Sequence, residues 1–154
     1  IIVILIWAYI RTRKRKDNGE AAVKEPPYIT ALKKLDHYRG NKFWAPEKQK
    51  QFYSGVTDVL REYIAARFGV GAMEMTTAEI FDGLKDKEIP QPLLDEARNL
   101  FVMSDLVKFA KLTVTDDENA KAVPAAVRFV TSTWKAEEEA DANVNVNDKV
   151  GEEK

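Results

Sequence analysis

Between Tyr28 and Lys135 the apolar residues recur at intervals of three and four, and nowhere do they alternate with polar ones over the length of a strand. The pattern predicts five helices. The first opens at Pro27 and runs through YITALKKLDHYR, with Ile29, Leu32 and Leu35 in register and Gly40 placed to end it. The second spans Pro46 to Phe68, carries Phe52, Val56, Leu60, Tyr63 and Ile64 on one broad stripe, and stops at Gly69 and Gly71. Thr76 and Glu79 then form a capping box, T-T-A-E, ahead of a short third helix bearing Ile80, Phe81 and Leu84. Pro92 sits at the start of a fourth, LLDEARNLFVMSDLVKFAKL, whose core band passes through Leu93, Ala97, Leu100, Phe101, Ser104 and Val107. A second box, Thr115 to Glu118, opens a fifth helix along Val123, Val127, Val130 and Trp134, in which Pro124 is expected to introduce a kink. The fold class is therefore all-α, a compact bundle of about five helices over residues 28–135.

The two ends of the chain read differently from this body. Residues 1–10, IIVILIWAYI, are wholly apolar, and five of the next six, RTRKRK, are basic. A secretory signal has its charges before the apolar stretch and a small-residue cleavage site after it, so that reading fails. Ten helical residues rise about 15 Å, half of a bilayer core. The order apolar, aromatic, basic is that of a chain leaving a membrane into the cytoplasm: Trp7 and Tyr9 at the headgroups, then Arg11, Arg13, Lys14, Arg15 and Lys16. Residues 1–10 are expected to be the C-terminal half of a transmembrane helix. A buried strand is the alternative, but five charges follow with no turn residue between. Residues 11–27 form a basic juxtamembrane segment and linker ending in a Pro pair, and residues 136–154, with seven acids against two lysines, are expected to be a disordered acidic tail.

Composition narrows the chemistry. The 154 residues are 45 % hydrophobic, enough for one core, and the formal net charge is −1. With no cysteine and a single histidine, His37, no conventional metal site can be assembled, and no cofactor is expected. FGVGAMEMTT has glycines before a helix but lacks the Lys–Ser/Thr ending of a phosphate loop. A helix-turn-helix over 76–111 would carry five bases against seven acids, the wrong sign for docking on phosphates.

The run YSGVTDVLREYIAARFGVGAMEMTTAEIFDGL, followed by LFVMSDLVKFAKL and a T-x-x-E-N helix ending in Phe and Trp, resembles a domain of bacterial single-span membrane proteins. These are the uncharacterised proteins found beside Bat aerotolerance components, MoxR-type AAA ATPases and von Willebrand factor A proteins. The resemblance covers residues 28–135 and brings no catalytic residues with it. It implies a single-pass protein of the inner membrane with this domain on the cytoplasmic side, contacting a cytosolic protein such as an AAA ATPase or its adaptor. The expected function is a non-enzymatic, membrane-tethered protein-interaction domain. The candidate partner surface is Phe68, Val70, Met73, Met75 and Phe81, where apolar side chains cluster near acids; the alternative is that these fill the core. A rival is a ligand-binding or enzymatic domain with a pocket between helices two and four, using Tyr53, Tyr63, Glu62 or Asp105.

Overall fold

The computed structural model describes residues 25–151. The elements are α1 (Pro27–Asp36), α2 (Pro46–Phe68), one 3₁₀ turn (Ala72–Glu74), α3 (Thr77–Leu84), α4 (Gln91–Phe109) and α5 (Asp116–Gly151). The protein is all-α, with no strand among the described residues. The expected half-helix 1–10, the basic run 11–16 and the last residues of the acidic tail lie outside them. Among the described residues no helix is long and apolar enough to cross a membrane.

Local chemistry accounts for the boundaries. Proline occupies the first turn of α1, α2 and α4, where its missing N–H costs no hydrogen bond. The box before α3 is closed in both directions: Glu79 N–H donates to Thr76 Oγ1 at 3.3 Å, and Thr76 N–H donates to Glu79 Oε2 at 2.8 Å. Gly69 ends α2 at φ 68. Two helices stop sooner than the apolar pattern predicts. α1 gives way after Asp36 to a turn leading to Gly40, and α4 gives way after Phe109 because Lys111 takes a left-handed φ of 55.

Helical backbone in α5 runs through Pro124 and past Trp134 to Gly151. KAEEEADA is rich in good helix formers, and two contacts hold its first turn: Trp134 stacks on Tyr28 at 3.9 Å, and Glu137 pairs with Arg67 at 2.9 Å.

α2 is the central helix, packed by α1, α4, α5 and the 3₁₀ turn, while α3 lies on α4. Its buried polar groups report how the neighbours run. Tyr53 OH donates to Asn119 Oδ1 at 2.8 Å and Tyr63 OH meets Thr133 Oγ1 at 2.7 Å, so α5 is parallel to α2. Thr57 meets Ser104 at 3.2 Å and Arg61 lies over Phe101, so α4 is antiparallel. α1 is also antiparallel, with Lys34 paired to Glu62 and Tyr38 beside Gly55. The bundle thus has a near end, where the chain enters α1 and passes Trp134, and a far end, where α2 and α5 begin and α4 finishes. α2 alone, at 23 residues, separates these ends by about 34 Å.

Tyr38 fits only because α2 offers no side chain at Gly55: a Cβ there would lie 2.0 Å from the Tyr38 hydroxyl. Phe43 and Phe52 hold the Tyr38 ring from the other sides. Gly55→Ala is therefore expected to lower stability by roughly 1–3 kcal/mol through overpacking. Helix propensity alone predicts a gain of about 1 kcal/mol. Urea denaturation decides between the two signs.

Candidate interaction surface

The residues expected to form a partner surface are mostly interior. Phe81 and Val70 are 2 % and 8 % exposed, and Phe68 packs edge-on against Tyr63 beside Phe129. Met75 is half-buried against the core, and Met73 alone stands out in solvent. The Arg61 guanidinium, hydrogen-bonded to the Ala72 and Met75 carbonyls at 2.8 and 2.6 Å, ties the 3₁₀ turn to α2 beneath this cluster.

The four residues of the expected ligand pocket do not converge either. Glu62 is on the α1 side of the bundle, paired with Lys34, while Asp105 lies on α4 and accepts from Thr77 Oγ1 at 2.6 Å. Tyr53 and Tyr63 are buried, and each phenol is spent on a hydrogen bond to α5. A concavity of about 250 Å³ near Tyr53 opens between α4 and α5 instead, and its rim is crossed by the Arg128–Glu96 pair. His37 is exposed at the end of α1 against the rings of Tyr38 and Phe43. Among the described residues no three His, Asp or Glu side chains gather as a metal site.

What the sequence reading passed over is a stripe of exposed apolar side chains on α4. Val102, Leu106 and Phe109 are 45 %, 41 % and 82 % exposed, at spacings of four and three, and Leu112 just beyond them is 40 % exposed. Arg98 and Asp105 share that face by helical periodicity. The signal was present in the sequence: these apolar residues fall on the side of α4 opposite the band that contains Ala97, Leu100, Ser104 and Val107.

No protein-family model, curated protein or solved structure matches the chain.

The stripe is held rigidly. After Phe109 the chain reverses at Lys111, and Leu112 N–H donates back to the Leu106 carbonyl at 3.2 Å. Gln49, 2 % exposed, then fixes the loop: its amide nitrogen donates to the Trp44 and Val114 carbonyls at 2.8 and 2.9 Å, and its oxygen accepts from Val114 N–H at 2.8 Å. A single side chain thus replaces three backbone partners and ties the start of α2 to the loop behind the stripe. At its other end the stripe enters a groove of about 550 Å³ between α3 and α4, with Thr77, Phe81, Asp82, Arg98 and Val102 among its walls.

Burial pushes the Tyr53 phenol up from 10 to about 12, with a smaller contribution from Glu118. Between those values the unfolded chain gives up this proton while the folded one keeps it. The stability from this group is present below pH 10 and is lost as pH rises toward 12, by roughly 2–3 kcal/mol in all. Tyr53→Phe is expected to flatten that part of the alkaline decline, measured by denaturant titration at stepped pH. Tyr63, raised mainly by burial, retains its own share.

Proposed function

We propose that this chain is a non-enzymatic interaction domain, tethered to the cytoplasmic face of the inner membrane by its N-terminal segment, which receives a cytosolic protein at the far end of the bundle. The exposed stripe Val102, Leu106, Phe109 and Leu112 carries this reading. An isolated exposed leucine is ordinary, whereas aligned apolar side chains on a pinned helix end are a docking feature. The sequence supports the tether: Arg11, Arg13, Lys14, Arg15 and Lys16 follow the apolar stretch and would each gain about 1 kcal/mol near anionic headgroups. Glu25 and Pro26 feed α1 at the near end, the opposite end of the bundle from Phe109. A MoxR-type AAA ATPase or its adaptor is the partner class that the resemblance suggests.

Replacing Leu106 and Phe109, 41 % and 82 % exposed, together by Asp leaves the buried core residues of α4 in place, and the double variant is expected to keep the circular dichroism spectrum of the parent with a small loss of Tm. Binding to a purified MoxR-type ATPase from the same genome should fall at least tenfold, since a central aromatic anchor commonly contributes about 2 kcal/mol or more. Undiminished binding by the double variant, in a titration followed by interferometry, would show that the stripe is not the docking face.

A further inference from the structure

The turn that joins α1 to α2 does not close against α5. Between them lies a cavity of about 460 Å³, within the range of roughly 300–1,000 Å³ common for small-molecule sites. Aromatic rings from Tyr38, Trp44 and Phe52 wall it on one side, and Val123 and Val127 of α5 wall it on the other. The Tyr38 ring is fixed by its close approach to Gly55 and by Phe43 and Phe52, and Phe52 is itself buried, so these walls are preformed. The charged residues on the cavity are Arg39 and Arg128, and no acid among the described residues lines it. Each arginine is paired with an acid outside the cavity, Arg39 through Nε to Asp36 and Arg128 through Nε and Nη2 to Glu96. A guanidinium carries five N–H donors, so the Nη groups of Arg39 and Nη1 of Arg128 keep donors to spare. The Trp44 indole N–H is buried and has no hydrogen-bond partner among the described residues, although buried donors are almost always paired. Asn119, deeper on the α5 wall, is already spent on Tyr53 and on the Val114 carbonyl. Beyond apolar surface, the side chains of this cavity offer donors and positive charge.

We propose that this cavity binds a small aromatic carboxylate. The ligand's ring packs among Tyr38, Trp44 and Phe52, and its carboxylate accepts from Arg39 and Arg128, whose side chains are more than half exposed and so stand at the mouth. A cationic ligand of the same shape finds no counter-charge on these walls, and an uncharged one leaves the guanidinium donors to water. The site goes beyond the interaction reading above. Its walls come from the segment Tyr38–Trp44, from α2 and from α5, and no residue of α4 takes part, so it stands or falls separately from the exposed stripe.

The test uses the full chain in neutral-lipid nanodiscs, labelled with fluorotryptophan at Trp7, Trp44 and Trp134 and followed by fluorine NMR, with the Trp44 resonance assigned from Trp44→Phe. The probes are 2-naphthoate, the uncharged 2-naphthamide and the cationic 2-naphthylmethylammonium. Naphthoate is expected to shift Trp44 saturably while leaving Trp134 in place, and to bind on the order of tenfold more tightly than either analogue at low salt. Arg39→Gln with Arg128→Gln, both at exposed positions, should bring the three affinities to within about twofold of one another. Ala120→Phe, at an exposed position on the cavity wall, should fill the space and weaken naphthoate binding by about tenfold or more. Circular dichroism checks its fold, and Ala120→Leu is the smaller plug if the Phe variant is disturbed. Equal binding of all three probes at Trp44 would overturn the carboxylate assignment. Naphthoate binding that survives both substitutions at Ala120, a shift confined to Trp7, or no saturable shift of Trp44 would overturn the site itself.

Discussion

The buried Gln49, Tyr53 and Tyr63 side chains of α2 each take a partner that another part of the chain supplies, and the rest of the bundle is arranged around that requirement. Gln49 is satisfied by the two loops at the far end, Tyr53 and Tyr63 by α5, and Thr57 in part by α4. A stranded donor or acceptor in such surroundings costs about 1–3 kcal/mol, as much as a large apolar contact contributes. Sliding α5 by one turn along α2 would keep apolar surfaces together but would strand both phenols at once. Apolar contact supplies most of the driving force for this bundle; the polar groups select one alignment from those that apolar contact alone would allow.

Much of that architecture was legible from the sequence because its signals are local. Pro27, Pro46, Gly69 and the Thr76–Glu79 box mark helix boundaries through interactions a few residues long, and the structure shows them at those places. Gln49 was illegible for the opposite reason. It reads as one more polar residue in the first turns of a helix, yet one of its partners is 65 residues away. The end of α4 was misread because FAKL continues an apolar run that suits a helix, while the reversal at Lys111 uses a backbone conformation rarely adopted by residues other than glycine. The stripe was legible by phase, since Leu106 and Phe109 fall opposite Leu100, Ser104 and Val107 on a helix, but only the absence of a packed neighbour on that side shows it to be exposed.

The segment Phe68–Phe81 shows the limit of composition as a guide to function. Methionines, aromatics and acids in close succession suit an adaptable binding surface, and they equally suit a tight connection that covers the end of a core. Arg61 decides the matter here. Its guanidinium holds the Ala72 and Met75 carbonyls, and beside that tie Val70 and Phe81 are buried while Met73 is exposed. A charged residue on the central helix, which by its spacing from Asp58 and Glu62 reads as part of a solvated face, thus packs the connection against α2.

The opposed running of α1, α2 and α4 has a mechanical consequence. A pull applied to the residues before Pro27 and resisted at Phe109 is transmitted along the helix axes, through the α1–α2 interface and then the α2–α4 interface. Both interfaces are loaded in shear along their length, so many contacts must give way together. Peeling from one end would break them in sequence under a smaller force. A load between the start of α1 and the end of α4 is therefore shared by many contacts at once.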